Sequence, residues 1–321
     1  MATTGSCNAA RQSAAALALI ARSKPWTIAV QLRGSSASKT SSLISPRYMA
    51  TTPGNTSLPE LKSVQNFRDV ASSSPATINA GLLFRTARLD TASAADWKTL
   101  QQNYGVRSTI DLRSEDEQKT SPPANTNIQH HRININGSSY SRALIAHLSV
   151  WNQARLLFNA ATGKRDRAIQ ILGANAMKPR GLVGLATDTL DASGKEIREV
   201  FGLLSSSANY PICIYCHQGK DRTGIIITLV LLLCRVDARA VQADYARSTG
   251  DNGLTQSELA ERVKELQDMG LPAEFAGTDE AFVEGVQRHC QKHYGSVEQY
   301  LGHIGVTEDM SKAVRNVLLK K

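Results

Sequence analysis

Residues 211–234 read PICIYCHQGKDRTGIIITLVLLLC. Two apolar runs flank a loop that carries Cys216, Lys220, Asp221 and Arg222. The first run, Ile212–Tyr215, predicts a short buried strand. The second, from Thr223 to about Val236, is apolar on every side and predicts a buried central helix. A strand, a tight polar loop and a buried helix aim the loop N–H groups and the helix N-terminus at one point. That point attracts an anion. Gly219 relieves the steric limits of the turn. Arg222 follows Cys216 after five residues, and arginine grips two phosphate oxygens at once. A cysteine beside a helix N-terminus and a guanidinium favours the thiolate. Facing a bound phosphate, it is a nucleophile for phosphoryl transfer.

Cys-x5-Arg alone is a weak signal. Its context here is much rarer: apolar strand, Cys, Gly at the fourth position, Arg, Thr, Gly, apolar helix. It is not a Walker phosphate loop. Asp221 stands after Gly219-Lys220 where Ser or Thr is required, and the earlier Gly position is Ile214.

The nine residues Cys216-His217-Gln218-Gly219-Lys220-Asp221-Arg222-Thr223-Gly224 resemble the signature of cysteine-dependent protein tyrosine phosphatases, in the bacterial and fungal tyrosine/serine branch. Asn66-Phe67-Arg68-Asp69, Gly81–Arg85, Gly105–Glu115, Asp244-Tyr245 and Tyr294–Leu301 resemble that branch in the same order. The resemblance covers roughly residues 58–319. It implies an α/β fold of the protein tyrosine phosphatase type, with a single central sheet surrounded by helices. It also implies roles. Cys216 is the nucleophile and Arg222 the phosphate clamp. Asp221 protonates the leaving group and then takes a proton from the hydrolytic water. His217, Gln218, Gly219, Lys220 and Thr223 hold the phosphate, with Thr223 steadying the sulfur as it leaves. Lys220 adds charge at the mouth and suits polyanionic substrates. No metal or other cofactor is expected, because Arg222 and the backbone amides take the developing charge. The expected substrates are phosphotyrosine, phosphoserine and phosphoinositides.

Asp111 is expected at a strand end beside the pocket with Arg113 near it, either as a salt bridge or as a substrate contact. Asn66, Arg68 and Asp69 carry the same two readings. Two departures stand out. Tyr215 replaces the His that precedes the cysteine in the family, and Val70-Ala71-Ser72 replaces a Gly pair. Tyr215 keeps open a second function, a catalytically weak pseudophosphatase that binds phosphorylated ligands. Persulfide transfer by a rhodanese-like loop fits poorly, because such loops lack the Lys-Asp-Arg-Thr order.

The 321 residues, 20% charged and 41% hydrophobic, suit a globular chain with a sizeable core. The longest apolar run, Ile225–Cys234, is short of the ~18–20 residues of a membrane helix. The net charge is +9. Residues 1–59 hold Arg11, Arg22, Lys24, Arg33, Lys39 and Arg47 and no acid; without those six, 31 basic residues face 28 acidic ones. The excess is mostly N-terminal, which argues against a nucleic-acid surface. The acid-free, Ala/Ser/Thr-rich start predicts a disordered organelle transit peptide over 1–50, mitochondrial and of the matrix type, with plastid or cytoplasm as alternatives. Arg47-Tyr48-Met49-Ala50 resembles a cleavage context. Residues 51–321 form the expected catalytic domain.

Five irregularly spaced cysteines are not a secreted disulfide framework. Cys213 and Cys216 form Cys-x-x-Cys, but three residues of strand separate their Cα atoms by about 10 Å, beyond disulfide reach. Cys213 and Cys234 are expected in the core. His289 and His293 read as a solvated helix face, and His130-His131 as loop or strand edge. Lys164-Arg165-Asp166-Arg167 is a solvated charge run, or holds an anionic substrate if it faces the pocket.

Short strands are expected at Leu82–Phe84 and Val106–Leu112. Helices are expected from a Ser93 cap to about Tyr104, at the stripe Ile197, Val200, Phe201 and Leu204, and at Ala238–Ser248, Gln256–Met269, Asp279–Tyr294, Val297–Ile304 and Glu308–Leu319. Residues 137–192 read as an inserted helical segment that could cover the pocket.

Overall fold

The computed structural model describes residues 59–115, 117–118, 126–249 and 256–320. The transit-peptide reading of residues 1–50, and Cys7, lie outside them. The element order is β1 (Arg68–Asp69), β2 (Leu83–Thr86), α1 (Ala94–Gln102), β3 (Ser108–Asp111), β4 (Gln129–Arg132), α2 (Ser138–Ala146), α3 (Val150–Ala161), α4 (Arg165–Leu172), α5 (Lys178–Ala192), α6 (Gly194–Leu204), β5 (Ile212–Tyr215), α7 (Asp221–Leu233), α8 (Ala238–Ala246), α9 (Gln256–Asp268), α10 (Phe282–Tyr294), α11 (Val297–His303) and α12 (Glu308–Leu318).

The sheet runs β1-β2-β5-β3-β4, with only β1 antiparallel to its neighbour. β5 is central, with Tyr215 opposite Thr86 on one side and Asp111 on the other. Parallel strands must be covered on both faces, and the period-two alternation of β5 meets that demand. Ile212, Ile214 and Cys216 join the core around α7. Cys213 and Tyr215 join Phe84, Trp97 and Leu100 on the opposite face, beneath α1. The loop after β5 therefore opens at the carboxyl ends of three parallel strands, where α/β sheets place their ligands.

Local chemistry accounts for the elements flanking the site. α7 buries Thr223–Leu231 and Leu233, as expected of a helix with no polar face. It begins at Asp221, two residues before the expected start, because the loop chain already turns helical there. α1 opens with the full Ser93/Asp96 capping box. β4, with sequence QHHR, is the edge strand that His130-His131 suggested, and its polar composition suits an open edge. Val70–Ser73 forms a single 3-10 turn capped by Asp69. The remaining expected helices are present, with ends shifted by a few residues.

The insertion is helical, as expected. It comprises α2 to α5 and has its own small core of Ile145, Leu148, Leu156, Ala168, Ile171 and Ala176. α5 is kinked at Gly181, whose φ of 62° and extended ψ break the helical path. Among the described residues no helix is long and apolar enough to cross a membrane.

Candidate active site

Residues 216–220 link β5 to α7, and three of their carbonyls are held from outside. The His217 carbonyl accepts from the Arg88 amide at 3.1 Å. The Gln218 carbonyl accepts from Asn66 Nδ2 at 2.9 Å. The Gly219 carbonyl accepts from Arg85 Nη2 at 2.6 Å. In a trans peptide the N–H points opposite to the C=O. Pulling three successive carbonyls outward therefore turns the amides of 218, 219 and 220 inward, which makes an anion cradle.

Gly219 allows the close approach. Its φ is +65°, and a Cβ there would lie 2.1 Å from the Thr86 carbonyl oxygen. Only glycine fits both the dihedral and the space.

Behind the loop lies a buried charge cluster. Asp244 on α8 accepts from Arg68 Nε at 2.9 Å and from Arg85 Nη1. Arg68 also donates to the Asp244 carbonyl at 2.7 Å and to Asn66. Ser248 Oγ accepts from both arginines. Burial and the neighbouring Arg85 bring Arg68 down to about 10. Burial alone would raise the Asp244 carboxyl, but the two guanidiniums outweigh it and hold it below its ordinary value. Arg68 thus forms an ion pair with Asp244, and Asn66 holds a loop carbonyl. Asp69 is also structural. It accepts from the amides of Ala71 and Gly81 at 2.9 and 2.6 Å.

Asp111 and Arg113 likewise form a salt bridge. Arg113 Nε bonds Asp111 Oδ1 at 2.9 Å, and Nη1 and Nη2 reach Asp90 at 2.5 and 2.7 Å. The guanidinium lies 5.5 Å from the centre of the Tyr215 ring. Tyr215 thus sits beneath the sheet, on the face away from Cys216.

Cys216 is 2% exposed. Arg222 lies close enough for its charge to couple to that sulfur. Its Nη1 and Nη2 pair with Glu117 Oε2 and Oε1 at 2.7 and 2.8 Å. Burial alone would raise Glu117; the Arg222 fork outweighs it and brings the carboxyl down to about 2. Ser114 holds Glu117 from behind through its amide and hydroxyl, at 3.1 and 2.9 Å. Among the described residues no hydrogen bond engages Arg222 Nε. Thr223 Oγ1 is buried with no hydrogen-bond partner there, and so is Gln218 Oε1. Asp221 is half-exposed at the first turn of α7. His217 is driven to about 4 by burial and by Arg88 and Arg262, so it is neutral at pH 7. Tyr140 on α2 is buried within the electrostatic reach of Asp188, Arg222 and Asp221, which brings the insertion to the edge of the site.

Lys220 is buried rather than exposed at the mouth, and its ammonium lies 3.5 Å from Asp221 Oδ1. It is 1% exposed, and its ammonium donates to the carbonyls of Phe275 and Gly277 at 2.7 and 2.6 Å. These come from the turn after α9, which caps the lysine and ties the loop to the C-terminal half. Burial pulls its pKa down. Lys164 and Arg167 do not face this loop either. They line a groove on the insertion.

A model of the tyrosine phosphatase family matches residues 59–320. The chain belongs to the tyrosine phosphatase family. Among curated proteins this phosphatase is 26% identical to the triple specificity protein phosphatase PtpB of Mycobacterium tuberculosis, over 81% of this chain and 98% of that one. It is 27% identical to a tyrosine-protein phosphatase of Nostoc commune, over 72% of each chain. The phosphatase has an α/β fold consistent with that family.

Two supports of the loop were not read from the sequence: Glu117 and Arg85. Each left a trace. Ser114-x-x-Glu117 has the spacing of a reciprocal Ser/Glu turn. Arg85 is a charge in the apolar strand LFRT, where a guanidinium needs a buried carboxylate.

Proposed function

We propose that this phosphatase hydrolyses phosphomonoesters through a phosphocysteine intermediate on Cys216. In the first step the Cys216 thiolate attacks phosphorus. The S–P bond forms, the P–O bond to the leaving group breaks, and Asp221 gives its proton to the departing oxygen. In the second step water attacks phosphorus and the S–P bond breaks. The sulfur leaves as thiolate, and the Asp221 carboxylate takes the water proton, releasing phosphate and restoring both groups. Arg222 Nε and the inward amides of the loop hold the phosphoryl oxygens, while Glu117 fixes the rest of the guanidinium. Thr223 Oγ1, which has no hydrogen-bond partner among the described residues, donates to the sulfur as it leaves.

The observation that carries this reading is the outward pull on three successive loop carbonyls beside Arg222. Phosphotyrosine, phosphoserine and phosphoinositides are the proposed substrates. The description of the mycobacterial relative as a triple specificity protein phosphatase supports breadth of this kind. The Arg-dotted, acid-free first 59 residues support mitochondrial delivery.

Turnover of para-nitrophenyl phosphate that is blocked by vanadate and lost in Cys216→Ser tests the nucleophile. Asp221→Asn should slow poor leaving groups more than good ones; equal slowing rejects Asp221 as the acid. Vanadate binding without turnover between pH 5 and 8 rejects catalysis and supports the pseudophosphatase reading.

A further inference from the structure

The insertion presents a surface that phosphoryl transfer does not use. On α3, Val150, Trp151 and Phe158 are 83%, 72% and 62% exposed. Trp151, Arg155 and Phe158 stand at i, i+4 and i+7, so they form one stripe along the helix. The stripe borders a groove of about 740 Å³, also lined by Lys164, Arg167 and Ile171. Lys164 Nζ lies 6.0 Å from the centre of the Phe158 ring. None of the groove residues is acidic, and none belongs to the 216–224 loop. From Ser138 to Met177, five Lys and Arg residues stand against one acid, Asp166.

Exposed aromatic rings beside cations with no carboxylate match the boundary between lipid headgroups and acyl chains. Aromatic rings bury there while Lys and Arg reach the phosphates. Duplex nucleic acid would use the cations and leave Val150, Trp151 and Phe158 in water. A second copy of this chain would bring like charges together.

We propose that this face of the insertion docks the protein on an anionic lipid bilayer. Trp151 and Phe158 enter the interface, and Arg155, Lys164 and Arg167 engage lipid phosphates. Binding is peripheral. The docking does not depend on the proposed hydrolysis.

The test is co-sedimentation of the full chain with two sets of vesicles. One is phosphatidylcholine alone; the other is equal parts phosphatidylcholine and phosphatidylserine. The expected result is binding about tenfold or more tighter to the anionic vesicles, weakening as salt rises. Trp151→Ala with Phe158→Ala, and separately Arg155→Glu with Arg167→Glu, should each lower it about tenfold or more. Circular dichroism and the thermal midpoint check that the variants fold. If the apolar pair does not fold, Arg155→Gln with Arg167→Gln carries the same comparison. Equal binding by folded variants and parent overturns the proposal and assigns any attraction to another basic segment, such as residues 1–59. Equal binding to both vesicle types, or self-association without vesicles that Trp151→Ala abolishes, also overturns it.

Discussion

Arg222 donates both terminal nitrogens to Glu117, at 2.7 and 2.8 Å, across 105 residues of chain. A planar fork on a carboxylate has one low-energy orientation, so Glu117 sets the plane of the guanidinium before any substrate arrives. Glu117→Gln should lower kcat/KM about ten- to a hundredfold through misplacement of the clamp, and weaken vanadate binding. The pH dependence follows from the same pair. Glu117 sits near 2 when folded, below its ordinary 4.5. Its stabilisation is therefore present above about pH 4.5 and lost as the pH falls toward 2, for a total of about 3 kcal/mol. Unfolding followed from pH 6 to 2 should show less acid loss in Glu117→Gln. An unchanged acid limb would argue against the pair.

The loop should depend on Asp244 although Asp244 is not expected to touch substrate. Asp244→Ala leaves the buried Arg68 and Arg85 without their carboxylate, which should cost about 3–5 kcal/mol of stability. Asp244→Asn keeps the shape and should cost less. Urea unfolding of both variants checks the order. A near-neutral Asp244→Ala would mean that the two guanidiniums find other partners.

Lys220 separates two uses of one charge. Bonded to the carbonyls of Phe275 and Gly277, it is an anchor. Lys220→Met should therefore destabilise the fold by about 1–3 kcal/mol through unpaired carbonyls. It should also slow small and polyanionic phosphomonoesters by the same factor. A loss confined to polyanions would restore the mouth cation expected from the sequence.

Reactivity should discriminate among the cysteines. Burial pushes Cys234 and Cys290 up to about 12 and raises Cys213 as well. Iodoacetamide at neutral pH should therefore leave these three unmodified in the folded protein and alkylate Cys216, read by peptide mass. Vanadate should protect Cys216. Labelling of Cys213 before Cys216 would contradict the arrangement of the site.

Local pattern made the central unit legible. An apolar run bounded by a polar loop marked β5 as Ile212–Tyr215, and an all-apolar stretch marked α7, because burial on every side leaves no polar face to read otherwise. The Ser93/Asp96 box marked the start of α1 from four residues. The resemblance of Cys216–Gly224 to a phosphatase signature pointed to the family that the match over residues 59–320 establishes.

The sequence alone determined that a cysteine, a glycine and an arginine share one turn between a buried strand and a buried helix. Tertiary structure decided what surrounds that turn. Glu117 reaches Arg222 only because the chain just after β3 returns beside the loop. Asp244 meets Arg68 and Arg85 from 176 and 159 residues away. Lys220 is buried because a distant turn brings two carbonyls to its ammonium. Hydrogen bonds along one segment repeat with the backbone and leave a periodic trace. Ion pairs between segments depend on where the chain returns, and spacing along the sequence does not encode that.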